Sequence, residues 1–137
     1  MRHPRRNLLK LAALGPLAGL PAFAAGLPNQ TRAPGDATLR REPYGELRTY
    51  FEGSTAQLRS MTAGSLLLKP GQEPHPPHSH PEEEFVLVTE GQGEIIVDGQ
   101  TTRVAPGAMM YCAANVMHGI RNTGRKPLLF YFYKWLK

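Results

Sequence analysis

The chain is 137 residues long, 41% hydrophobic and 20% charged, which suits one domain with its own core and is too short for two of ordinary size. Its single cysteine, Cys112, excludes an internal disulfide framework and a multi-cysteine zinc site. The formal charge of +5 misleads: Met1–Ala24 holds four of the 16 basic residues and no acid, so the other 12 stand against 11 acids and no dense basic stripe remains for nucleic acid.

The chain opens on a basic region and an apolar run from Leu8 to Ala25, interrupted by Lys10, Gly15 and Pro16 and closed by small residues. The run is too short and too broken for a membrane span. Ala22-Phe23-Ala24 has the small-x-small form of a signal-peptidase site, with cleavage expected after Ala24. Arg5-Arg6-Asn7-Leu8-Leu9-Lys10 resembles the twin-arginine export signal, with Pro4 where that signal usually has Ser or Thr. The resemblance implies residues 1–24 as a helical signal peptide, the twin-arginine machinery as a partner, and a periplasmic or otherwise exported product. It also implies no stable membrane anchor after cleavage and export of an already folded chain.

Residues 25–45 are polar, rich in Gly, Pro and Arg, and without period, so they read as an irregular arm or linker ahead of one barrel domain over 46–137. Strands are expected at Leu47–Glu52, weakly around Gln57–Met61, and at Ser65–Lys69 before the Pro70-Gly71 stop. Glu84–Thr89 follows, and Asp98-Gly99 between Glu94–Val97 and Thr101–Val104 is a strong hairpin signal. Met109–Cys112, Met117–Arg121 and Leu128–Trp135 complete an all-β list of short strands, the pattern of a sandwich or small barrel. The last is apolar on both faces, which suits a buried central strand or an oligomer contact.

Chemistry concentrates in His75, His78 and His80, followed by Glu82-Glu83-Glu84, with His118 about 40 residues on. In extended chain, residues two apart share a face, so His78 and His80 can point together with Glu84 in the same register. His118 can close the set from an antiparallel neighbour. Three imidazoles and a carboxylate suit Mn, Fe, Co, Ni, Cu or Zn better than Ca or Mg.

Gly71, six residues, His78-x-His80, three residues, Glu84, six residues, Gly91 resembles the first cupin motif, with one extra residue after Gly71. Gly107, five residues, Ala113-x-Asn115, two residues, His118, three residues, Asn122 resembles the second, with Ala113 for the usual Pro and Asn115 for the usual Gly. Asn tolerates the left-handed conformation such a turn demands. The resemblance runs from about Leu66 to Trp135. It implies a cupin-like double-stranded β-helix, or jelly-roll barrel, holding one divalent transition metal (Fe, Mn, Ni, Cu or Zn) on His78, His80, Glu84 and His118. It further implies a small oxygenated substrate, dioxygenase, isomerase or lyase chemistry with Glu84 as candidate catalytic base, and a homodimer. A non-catalytic binder of a small molecule or metal is the alternative.

Several neighbours stay open between roles. His75, in a stiff Pro-rich loop, is a rim proton carrier, a substitute ligand or an exposed loop residue. Asn122 either reaches the substrate or the groups behind the ligands, or ends a strand. Glu83 replaces Glu84 if the register slips by one. Cys112 is a buried hydrophobe or points into the site, and Met109, Met110 and Met117 line an apolar barrel or form a soft copper site.

Overall fold

The computed structural model describes residues 26–137. The expected signal residues Arg5, Arg6, Ala22 and Ala24 lie outside them. A single 3-10 turn at Pro34–Asp36 precedes nine strands: β1 (Thr38–Glu42), β2 (Gly45–Gly53), β3 (Ser60–Leu68), β4 (Glu83–Glu90), β5 (Gly93–Val97), β6 (Gln100–Val104), β7 (Met109–Cys112), β8 (His118–Arg121) and β9 (Leu128–Leu136). They form two antiparallel sheets, one of six strands ordered β1-β2-β3-β9-β4-β7 and one of three ordered β6-β5-β8. No helix among the described residues is long and apolar enough to cross a membrane.

The core lies between the sheets and follows the two-residue period of a strand. Val86 and Val88 of β4, Leu128 and Phe130 of β9, and Leu66 and Leu68 of β3 face Ile95 and Val104 of the smaller sheet. The alternation extends past the core. On the same parity, β4 carries Glu84 and β9 carries Phe132 and Lys134 toward one end of the barrel, where polar side chains replace apolar ones. The last strand is central, between β3 and β4, as its two apolar faces suggest. Its outer face, with Phe85 and Tyr111 beside it, leaves Tyr133 44% exposed.

Two expectations need correction. The segment 25–45 is not irregular throughout, because Thr38–Glu42 pairs residue for residue with β2. It is an edge strand with little buried side chain, and charges on such a strand prevent pairing with another molecule, so no apolar alternation marks it. Around Gln57 the chain turns: the Thr55 hydroxyl accepts from the Gln57 and Leu58 amides. The strand begins only at Ser60, then runs unbroken through Gly64, where a Cβ would overlap the Phe132 ring.

The hairpin at Asp98-Gly99 has φ of 50° and 77°, the paired left-handed conformation a two-residue turn requires. Asn115 has φ of 63°, as expected for an Asn in place of Gly. That turn also matters to the site, since the Asn115 amide donates to the His80 carbonyl at 2.8 Å.

Candidate metal centre

Three segments meet at the polar end of the barrel. The first residues of β4 supply Glu84, the first residue of β8 supplies His118, and the Pro-rich connection between β3 and β4 supplies His75, His78 and His80. That connection is stitched to β8 by a two-way backbone pair, His78 N to His118 O at 2.9 Å and His118 N to His78 O at 2.8 Å. Prolines at 74, 76 and 77 hold it extended between.

One ligand nitrogen from each of His78, His80 and His118 lies within 4.8 Å of the others. Glu84 Oε2 sits 2.9 Å from His118 Nε2 and 3.2 Å from His80 Nε2. The opposite ring atoms define the tautomers. His118 Nδ1 lies 2.9 Å from the Val116 carbonyl and His80 Nδ1 lies 3.1 Å from the Glu82 carbonyl. A carbonyl only accepts, so each Nδ1 carries a hydrogen, and Nε2 is the ring atom turned toward Glu84. This is the arrangement that orients metal-ligating histidines. His78 Nδ1 is buried and has no hydrogen-bond partner among the described residues. Burial, reinforced by His75, His118 and His80, lowers the His78 pKa from its ordinary value despite Glu84, which favours the neutral ring. An imidazole nitrogen and a carboxylate oxygen this close share a proton or a cation, and this donor set fits a divalent transition metal.

The structure settles the neighbouring residues. Glu83 is turned to the outer face, where Tyr111 Oη and Trp135 Nε1 donate to it at 2.8 and 2.9 Å, so Glu84 alone of the pair faces inward. His75 is exposed at the rim, its ring edge-on to His78 with centroids 3.9 Å apart. Cys112 is 1% exposed in the core, and burial, aided by Glu84, pushes its thiol up, so it is a protonated hydrophobe. Of Met109, Met110 and Met117, only Met110 is buried in the core. Met109 and Met117 are 66% and 48% exposed, which dissolves the soft copper site.

Of the two roles open for Asn122, the structure shows the strand-end one and not the site role. It is fully buried, its Nδ2 donates to the Leu68 and Lys126 carbonyls, and its Oδ1 accepts from the Gly124 amide, each at 2.9 Å. Its side chain ties the turn after β8 to the end of β3 and does not line the cavity.

The cavity measures about 230 Å³. Besides the histidines and Glu84, its walls include Phe130 and Phe132, Tyr44 and Lys134. Sequence reading passed over the last two. Tyr44 lay in the presumed arm. Lys134 was detectable as the one cation sharing parity with Leu128, Phe130 and Phe132.

The Cupin_2 family, described as "Cupin domain", matches residues 64–133. Over 78 residues the chain is 35% identical to dimethylsulfoniopropionate lyase DddW of Ruegeria pomeroyi, covering 56% of this chain and 51% of that protein. It is 32% identical over 94 residues to polyketide synthase CurC of Streptomyces cyaneus, covering 68% and 60% respectively. The chain therefore spans about half to three fifths of the length of these curated relatives. Among solved structures, KdgF from Halomonas sp. superposes with a TM-score of 0.64 at 17% identity, covering 80% of this chain and 96% of that one.

Proposed function

The chain belongs to the cupin domain family, and from the site on its barrel we propose an exported, metal-dependent enzyme that acts on a small oxygenated metabolite by lyase or isomerase chemistry. The observation that carries the reading is the convergence of two tautomer-locked Nε2 atoms on Glu84 Oε2 beside the unpartnered His78. His78, His80, Glu84 and His118 would hold the ion. When bound, a divalent metal supplies Lewis-acid polarisation of an oxygen on the substrate. Glu84 Oε2 faces the imidazoles, which leaves Oε1 to take a proton from carbon next to a polarised carbonyl or carboxylate. Phe130 and Phe132 give the cavity an apolar wall, which favours proton transfer to the protein over exchange with water. The lyase among the relatives supports a non-oxidative reaction over a dioxygenase.

Metal content and turnover test this together. The protein, loaded in turn with Fe(II), Mn, Co, Ni, Cu or Zn, is offered dimethylsulfoniopropionate and 3-hydroxypropionate under nitrogen. Metal-dependent elimination that persists without oxygen and disappears in Glu84→Ala is the expected result. Turnover that requires oxygen, or stoichiometric binding with no product from any metal form, overturns the reading.

The export part rests on Arg5-Arg6 and the Ala22-Phe23-Ala24 segment. Exchanging Arg5→Lys and Arg6→Lys together is expected to leave the folded chain in the cytoplasm on cell fractionation. Unchanged periplasmic recovery would refute this route.

A further inference from the structure

Lys134 stands directly across from Glu84 in the β4–β9 register and lines the same cavity. It is the single Lys or Arg among the lining residues. It is half-buried and makes no ion pair or side-chain hydrogen bond among the described residues. Its natural partner is occupied elsewhere, since Glu84 Oε2 is turned to His80 and His118. Adjacent same-face residues on antiparallel strands are close neighbours, so a charge within reach of Glu84 yet unsatisfied by it is free for a third group. A divalent ion beside one carboxylate and three neutral imidazoles leaves the cluster positive, and Lys134 adds to that field.

The geometry points to Lys134 as the binding residue for a carboxylate on the substrate, so that the substrate is a small acid whose reacting end is presented to the histidine cluster. This rests on the reading of the cavity as the reaction site. A single ammonium matches a monoanion, whereas a phosphate dianion calls for a second cation, and Lys134 is the one Lys or Arg among the lining residues. The size agrees: 230 Å³ holds about eight waters, enough for an acid of a few carbons and below the roughly 300 Å³ at which sites for drug-sized ligands begin.

The test compares 3-hydroxypropionate with its neutral amide, by calorimetry on the metal-loaded protein and three variants. Wild type is expected to bind the acid about tenfold more tightly than the amide, the ratio one charge-assisted contact produces. Lys134→Met, which keeps the aliphatic stem, is expected to bring that ratio to about one while amide affinity changes less than about twofold; Lys134→Arg is expected to keep the preference. Should the Met variant not fold, Lys134→Gln reads the same ratio. His78→Ala/His118→Ala is expected to weaken both probes together and preserve the preference. If that double variant binds both as wild type does, the metal reading fails and the Lys134 assignment stands. An acid preference that survives Lys134→Met, equal affinities in wild type, or no binding of either probe at millimolar concentration overturns the assignment. Equal affinities are what a lysine that only snorkels to solvent would give.

Discussion

Exchanging His118 for alanine is expected to remove the metal from the purified protein and to weaken metal affinity by more than about a hundredfold, since even residues behind a ligand cost ten- to a hundredfold when lost. His118 is the best-placed member of the cluster. It is 5% exposed, its tautomer is set by the Val116 carbonyl, and its Nε2 makes the shortest contact with Glu84. Alanine removes the ring but keeps the backbone pair to His78, so the Pro-rich connection stays docked and the loss reads on coordination. His75→Ala is the matched control: its ring is at the exposed rim, and metal content should stay near that of wild type. Elemental analysis after dialysis against a mild chelator separates the two, and full retention of metal by His118→Ala would remove this site from consideration. Acidity works in the same direction. The folded His78 resists protonation more than the unfolded chain does. The metal-free fold therefore loses stability as pH falls below the ordinary histidine value of about 6.5, and is indifferent to this group above it.

Most of the site was legible because strand geometry converts spacing into direction. His78 and His80 are two apart and Glu84 shares their register near the start of β4, so parity proposed these three, and the motif resemblance added His118, which the structure brings to them. Parity failed where the chain leaves the sheet. Asn122 is four residues from His118 and shares its register, but β8 ends at Arg121, and the next residue turns back toward β3. Composition failed at β1, whose Thr-Leu-Arg-Arg-Glu carries charge on an edge where only one partner strand is present. Lys134 was hidden for a different reason. Its meaning depends on which strand lies beside β9, and that pairing, 50 residues away in sequence at Glu84, is a property of the tertiary fold.

Asn122 gives the sharpest test of that distinction, because a residue that builds the turn and one that serves the site fail differently. Asn122→Ala is expected to lower stability by about 2–3 kcal/mol, the cost of leaving buried hydrogen-bonding groups unpaired. The groups at stake are the Leu68 and Lys126 carbonyls and the Gly124 amide, and Leu68 itself is completely buried. In a domain of this size that corresponds to a fall in Tm of about 10 °C or more. Asn122→Asp should cost at least as much, since it sets a carboxylate oxygen against two carbonyls that now receive a donated hydrogen. Metal content of either variant, measured below its melting temperature, should remain near wild type, because the turn holds the end of β3 and no Asn122 atom reaches the histidines. Differential scanning calorimetry and elemental analysis on the same samples decide the matter. An unchanged Tm with metal or substrate binding lost would return Asn122 to the site, whereas a lowered Tm with the metal retained places it in the scaffold that ties the turn after β8 to the end of β3.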